Sequence, residues 1–280
     1  MGRTDLAVEC VTEEIISEGI TRRIRGENFK ITEIEIENDE YGQKIGKPKG
    51  HYVTLESSSL SFFSGDYNNM VHELAEEIGK FIPNGHIMVS GLGNDDITPD
   101  ALGVYTAENI IATRHLKGEM QEDEFFRSLR PVSVLVSGVI GKTGIETMEI
   151  IKSVTDKIKP SAVIAVDALA CADMSRLGTT IQISDSGICP GSGVQNKRKE
   201  LSAKTLGVPV IAIGVPTVID MYTIIENCTG KNADENIPNM LVTPKDIDKI
   251  INHCAMLLSM GINLALQENL SFEDIEELQR

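Results

Sequence analysis

Ile87-Met88-Val89-Ser90-Gly91-Leu92-Gly93-Asn94-Asp95-Asp96-Ile97-Thr98-Pro99-Asp100-Ala101-Leu102-Gly103 is the stretch that decides the fold. An apolar run of strand length enters a turn that carries glycines at 91 and 93. The turn leads to Thr98-Pro99, a helix-start signal with Thr98 as cap and Pro99 at the first helical position. Strand, glycine-rich turn and helix in that order make a βα unit, with the helix expected to reach about Ile111. The order recurs downstream. Val132–Val136 is a strand and Gly144 to Lys157 a helix. Ala162–Val166 is a strand ending at Asp167, and Thr180–Ile183 a short strand. Pro209–Ile213 is a strand followed by a turn at Gly214-Val215-Pro216-Thr217. Strands alternating with helices predict an α/β fold: a mainly parallel, doubly wound sheet flanked by helices.

Upstream the pattern differs. Ile31-Thr32-Glu33-Ile34-Glu35-Ile36-Glu37 alternates strictly, as a half-buried strand does. Tyr52–Glu56 is a second strand, so residues 31–56 predict an additional N-terminal strand pair, as a hairpin or an antiparallel addition to the sheet. Residues 10–18 read as a short acidic helix. Asn68 to Lys80 reads as a helix with Met70, Val71, Leu74 and Ile78 on one side, and further helices are expected near 244–267 and 271–279. No repeat, long linker or low-complexity segment divides the chain, so one domain is expected.

The 280 residues are 41% hydrophobic and 24% charged, enough for a sizeable core in a soluble protein. Trp is absent, which leaves the core to Ile, Val, Leu and Met. No uninterrupted apolar run reaches the roughly 18 residues of a membrane span. The N-terminus lacks the basic-then-apolar order of a signal peptide. Five cysteines without CxxC spacing read as free thiols in a reducing, cytoplasmic compartment. The net charge of −16 argues against direct grip on nucleic acid or anionic membranes, whose phosphates it repels.

Two aspartates stand out. Asp100 follows the glycine turn and falls in a first helical turn, where exposed N–H groups favour a carboxylate; a bare dipole or capping role competes. Asp167 follows five small or apolar residues and precedes Ala-Leu-Ala, so it is expected to be partly buried. A buried carboxylate needs a partner or a raised pKa. Carboxylates at strand ends converge on the ligand crevice of an open α/β sheet, where a pair shares a proton and activates water, or holds a metal. Ser184–Glu200 is a glycine-rich loop running into Lys197-Arg198-Lys199, suited to an extended peptide or an anion. Gly138–Gly144 follows a strand and opens a helix, but the Walker spacing fails, because Val136 stands where the first glycine belongs. His115 follows the Asp100 helix and is a candidate to line the cleft. Cys189 sits in the glycine-rich loop as a small residue with a potentially reactive thiol.

Taken together, these residues resemble the spore germination proteases of endospore-forming bacteria. The resemblance runs through Arg3 to Glu9, Leu92-Gly93-Asn94 with Thr98 to Gly103, Thr113-Arg114-His115-Leu116 and Thr143 to Thr147. It continues through Asp167-Ala168-Leu169-Ala170, Thr180 to Asp185, Pro190 to Val194, Asn196 to Lys199 and Gly214 to Val218. The glycine loop is also similar to that of hydrogenase maturation endopeptidases, which share the core fold and bind metal through acidic residues at the matching places.

The resemblance implies an endopeptidase that degrades small acid-soluble spore proteins during germination. It implies a homotetrameric zymogen of the forespore or spore core that cleaves itself, with no cofactor. It carries over Asp100 and Asp167 as catalytic. The family's substrate site is acidic–apolar–Ala–x–acidic, and Asp5-Leu6-Ala7-Val8-Glu9 fits it. Self-cleavage is therefore expected between Leu6 and Ala7, making residues 1–6 a propeptide and 7–280 the protease domain. Charge complementarity makes Lys197 and Arg198 candidates for contacts with the substrate's acidic residues. Two alternatives stand beside the dyad. The same carboxylates could hold a divalent metal, with His115 as a weak third ligand. Gly141-Lys142-Thr143 could serve a non-catalytic nucleotide-binding regulator.

Overall fold

A computed structural model describes residues 4–11, 19–58, 60, 66–116, 124–189, 199–234 and 238–279. Among these residues the sheet has nine strands: β1 (Ile20–Arg25), β2 (Lys30–Ile36), β3 (Gly50–Glu56), β4 (Ile87–Gly91), β5 (Val132–Val136), β6 (Ala162–Ala170), β7 (Thr180–Ser184), β8 (Val210–Asp220) and β9 (Leu241–Val242). Their order is β1-β2-β3-β7-β8-β6-β4-β5, with β9 beside β8. The α/β architecture is as expected, but the sheet is mixed rather than mainly parallel. β5, β4, β6 and β8 pair in parallel. β1, β2, β3, β7 and β8 pair antiparallel, as does β9 with β8.

Connection length explains the division, because parallel neighbours need a crossover and antiparallel ones do not. The helices Leu102–Glu108 and Thr147–Ile158 supply crossovers on the parallel side. The expected N-terminal pair is a three-stranded unit, since β1 pairs with β2 from Ile20↔Ile36 to Arg25↔Ile31. Ile-Thr-Arg-Arg-Ile-Arg does not read as a strand because β1 is an edge with most of its residues exposed, and charge is what such edges carry. The expected acidic helix at 10–18 lies mostly outside the described residues.

Two strands run further than expected. β6 continues past Asp167 to Ala170, and β8 continues through the expected turn to Asp220. Each holds the other in place: Asp167↔Gly214, Ala168↔Val215 and Leu169↔Pro216 keep the parallel ladder going. The register then shifts so that Ala170 pairs with Val218. A bulge of this kind tolerates Pro216, which has no N–H to donate.

Helices cover both faces. Ile164 and Val166 of β6 point into the larger core, with Leu74 and Ile78 of the helix Tyr67–Gly79, Leu102, and Leu258 and Ile262 of the helix Ile247–Leu266. That last helix is long and apolar enough to cross a membrane, yet it is mostly buried within the fold as a core helix. Val163 and Ala165 point the other way, towards Ile151, Leu201 and Leu206. At the carboxyl end of that second face, Leu169 and Cys171 pack with Leu6, Ala7, Val8 and Val11 of the N-terminal segment.

Candidate active site

The site is built where β4 ends and β6 goes on. Gly91, the last residue of β4, pairs with Val166, so Asp167 is the first residue of β6 beyond its neighbour. The chain leaving β4 is tied down at once, because the Leu92 N–H donates to the Val166 carbonyl at 2.9 Å. Asp167 is 4% exposed, and its Oδ1 accepts from the Ala168 N–H at 3.0 Å.

Asp100 closes the β4 loop over the same end of the sheet. It ends a 3-10 turn, Thr98–Asp100, and the α-helix proper is Leu102–Glu108. This is shorter than the single helix expected, and Ile97 rather than Thr98 is the cap residue, so Pro99 is the second residue of the turn rather than the first. The Thr217 hydroxyl of β8 donates to the Pro99 carbonyl at 2.7 Å, which fixes the turn against the strand beside Asp167. The Asn94 N–H donates to the Asp100 carbonyl at 3.1 Å. Gly93 has φ of 103°, and a Cβ there would lie 2.0 Å from that carbonyl oxygen. Glycine is thus required twice over, for its dihedral and for the close approach. Both aspartates therefore belong to the carboxyl edge of the parallel half, the crevice position of an open α/β sheet.

The other residues singled out in the sequence fare differently. Lys142 sits on the short helix Ile140–Thr143 and ion-pairs with Asp95 at 2.5 Å and Asp96 at 2.8 Å. Its hydrogen bonds hold the Asp95 carboxyl below its ordinary range, and those acids in turn raise the lysine. The cation that a nucleotide reading needs is spent bracing the acidic loop. His115 does not reach the cleft. The adjoining Arg114 N–H donates to the carbonyl of Val132, the first residue of β5, so His115 is at the amino end of the parallel strands, opposite the aspartates. Lys197 and Arg198 lie outside the described residues. Among the described residues no three His, Cys, Asp or Glu side chains converge as metal ligands.

Three thiols near the N-terminal segment are disfavoured as nucleophiles. Burial, then the charges of Glu200 and Asp5, push the Cys189 thiol up. Burial also raises Cys10, and it lifts Cys171 to about 12. Thiols raised in this way stay protonated and unreactive.

Sequence reasoning missed what holds the N-terminal segment. Leu6 and Ala7 are fully buried. The Asp5 N–H donates to the Ala170 carbonyl at 2.9 Å, and Asp5 Oδ2 accepts from the Ala170 N–H at 2.8 Å. Gln182 of β7 grips the main chain twice. Its Nε2 donates to the Asp5 carbonyl at 3.0 Å and its Oε1 accepts from the Ala7 N–H at 2.6 Å. Glu9 Oε2 accepts from the Ala172 N–H at 2.7 Å and Oε1 from the Asp173 N–H at 3.0 Å, with Arg176 Nε 3.3 Å away. A signal was present: Gln182 is polar in the middle of Thr-Ile-Gln-Ile-Ser, a strand buried throughout.

The pairing register joins these contacts to Asp167. Gln182 pairs with Gly214 and Gly214 with Asp167, so the three share one face of the sheet. Gly214 leaves the middle of the row without a side chain. A cavity of 220 Å³ opens there, lined by Asp5, Tyr52, Leu169, Gln182, Cys189 and Gly214 among others.

Residues 7–230 match the profile of the germination protease family. The chain is 40% identical to a germination protease of Caldanaerobacter subterraneus subsp. tengcongensis, over 99% of this chain and 97% of that one. It is 38% identical to one of Clostridium perfringens, over 98% of each, and 37% identical to one of Bacillus subtilis, over 97% of this chain and 95% of that one. With a family match over most of its length and likeness to these relatives from end to end, the chain belongs to the germination protease family of peptidases.

Proposed function

We propose that this chain is an endopeptidase of small acid-soluble spore proteins, made in the forespore as a homotetrameric, self-processing zymogen, with Asp100 and Asp167 activating water. The observation that carries the reading is the seating of Asp5-Leu6-Ala7-Val8-Glu9 against β6. Its first residue is bonded to Ala170, three positions beyond Asp167. The family match also begins at Ala7, the residue that self-cleavage would make the new N-terminus.

In the reaction, the ionised aspartate takes a proton from water as the water oxygen bonds to the scissile carbonyl carbon. The protonated aspartate gives its proton to the carbonyl oxygen. The resulting gem-diol collapses, the C–N bond breaks, and a proton passes to the departing amine. The two acids titrate as a pair. No acyl-enzyme forms, in keeping with the raised thiols around the site.

The seated segment is not extended at the bond to be cut. The Ala7 nitrogen is engaged by Gln182, whose row on the sheet face runs through Gly214 to Asp167. Ala7 also opens a 3-10 turn rather than continuing an extended strand. The uncut chain is therefore latent until this turn straightens, with the contacts to Gln182 and the Glu9 pocket kept.

Incubating the purified chain and sequencing its new N-terminus tests the reading. The expected terminus is Ala7, with the chain intact in Asp100→Asn and Asp167→Asn. A fully active Asp167→Asn protein would refute the dyad, and loss of cleavage after exhaustive chelation would favour the metal-assisted version.

A further inference from the structure

We infer that Arg176, with the main-chain amides of Ala172 and Asp173, forms the subsite that reads the acidic residue two positions after the scissile alanine of a substrate protein. Gln182 is the clamp for the substrate main chain on either side of the residue before the scissile bond. The inference rests on reading Asp5–Glu9 as a substrate motif and assigns the residues that recognise it.

Every position of the motif is met by a matching group. Asp5 receives the Ala170 N–H. Leu6 and Ala7 pack into an apolar floor that includes Leu169, Cys171 and Ile219. Both are fully buried, which leaves little room for anything larger than alanine at the second position. The Glu9 side chain is only 7% exposed and meets two amides and a guanidinium. Arg176 is aimed by a second carboxylate, Glu56, at 2.6 Å from its other arm. A glutamine in place of Glu9 would turn an NH₂ group or a neutral oxygen towards these donors, so the pocket discriminates by charge. Gln182 touches only main-chain atoms, a carbonyl on one side of Leu6 and an amide on the other. It can therefore hold any sequence that the neighbouring pockets accept. A solvent cavity of 540 Å³ lined by Glu9, Asp173, Arg176 and Asn227 gives a carboxylate a route in from outside.

In the uncut chain the subsite holds a tethered occupant, so a substrate must compete with Glu9 at a high effective concentration. Kinetics on the processed full chain test this with two peptides of the acidic–apolar–Ala–x–acidic pattern that differ only in Glu or Gln at the last position. The wild type is expected to favour the Glu peptide by at least about tenfold in kcat/KM, the scale of a lost charge-assisted hydrogen bond. In Arg176→Gln the preference falls to within about threefold, and Arg176→Lys restores part of it. Glu9→Gln removes the competitor and lowers KM for the Glu peptide by about tenfold, an effect that a merely structural salt bridge would not produce. Retention of the Glu preference in Arg176→Gln, or an unchanged KM in Glu9→Gln, overturns the assignment while leaving the peptidase reading standing. Should Arg176→Gln fail to fold, the Glu9→Gln measurement decides. If the wild type cleaves neither peptide, the peptidase reading fails and this assignment with it.

Discussion

Gly103→Ala sets two effects of opposite sign against each other. Gly103 is in the first turn of the helix Leu102–Glu108, and replacing a helical glycine by alanine ordinarily stabilises by up to about 1 kcal/mol. Here the added methyl would sit 2.2 Å from the Val166 carbonyl oxygen, 2.5 Å from the Leu92 carbonyl oxygen and 2.7 Å from the Leu92 nitrogen. All three are backbone atoms, so no side chain can swing aside, and the helix or the strand end must move by roughly 1 Å. Overpacking of this kind costs about 1–3 kcal/mol, and this case belongs at the upper end. The shift also strains the Leu92–Val166 hydrogen bond, worth about 1 kcal/mol. Steric cost wins, with a net loss of about 2–3 kcal/mol. For a chain of this size that lowers Tm by roughly 3–5 °C. Gly141→Ala is the control, since Gly141 is also helical and its added methyl meets nothing within 4 Å. Urea unfolding followed by circular dichroism, with calorimetry for Tm, compares the two. A Gly103→Ala protein as stable as the wild type would refute the close approach of helix and strand on which the Asp100 loop depends.

Glu77, only 2% exposed, gives a pH prediction. Burial pushes its carboxyl up, but hydrogen bonds from Arg25 and Lys80 and their charges outweigh this and hold it below its ordinary value. A depressed folded-state pKa contributes stability that is present above the unfolded value of 4.5 and is lost as pH falls through the folded one. Urea midpoints should therefore decline below about pH 4.5, and Glu77→Gln should flatten part of that decline. The same variant should cost about 1–3 kcal/mol at pH 7, less than a fully buried pair, because Arg25 and Lys80 can return to water. ATP or GTP should give no thermal shift with the wild type, since Lys142 is held by Asp95 and Asp96; a nucleotide shift abolished in Lys142→Ala would reinstate the binding-loop reading.

The parallel half of the sheet was legible because each of its strands opens on a mostly apolar run. Ile87–Gly91 and Val132–Val136 fall where the pattern put them. The antiparallel half was harder, because pairing partners lie far apart in sequence. Nothing local announces that Tyr52–Glu56 of β3 will pair with Thr180–Ser184 of β7. Local turn chemistry also misled at Gly214-Val215-Pro216-Thr217, where the ladder with β6 overrides a proline and a glycine. Asp100 and Asp167 were singled out from their neighbours in sequence, and both lie at the carboxyl edge of the parallel half. The groups around the N-terminal segment escaped because main-chain donors such as Ala172 and Asp173 leave no trace in residue identity.

That asymmetry bears on how latency and specificity are related here. A segment held only by burial would block a cleft without resembling a substrate. This one is held by contacts that follow its acidic–apolar–Ala–x–acidic pattern position by position, through Ala170, Gln182 and the Glu9 pocket. The same register that aligns Gln182 with Gly214 and Asp167 puts the Ala7 amide on the face that carries the buried acid. On the proposed reading, recognition is thus satisfied while the 3-10 turn at Ala7 withholds reaction. Activation on the proposed reading needs no new binding surface, only the straightening of a segment already recognised on the face that carries Asp167.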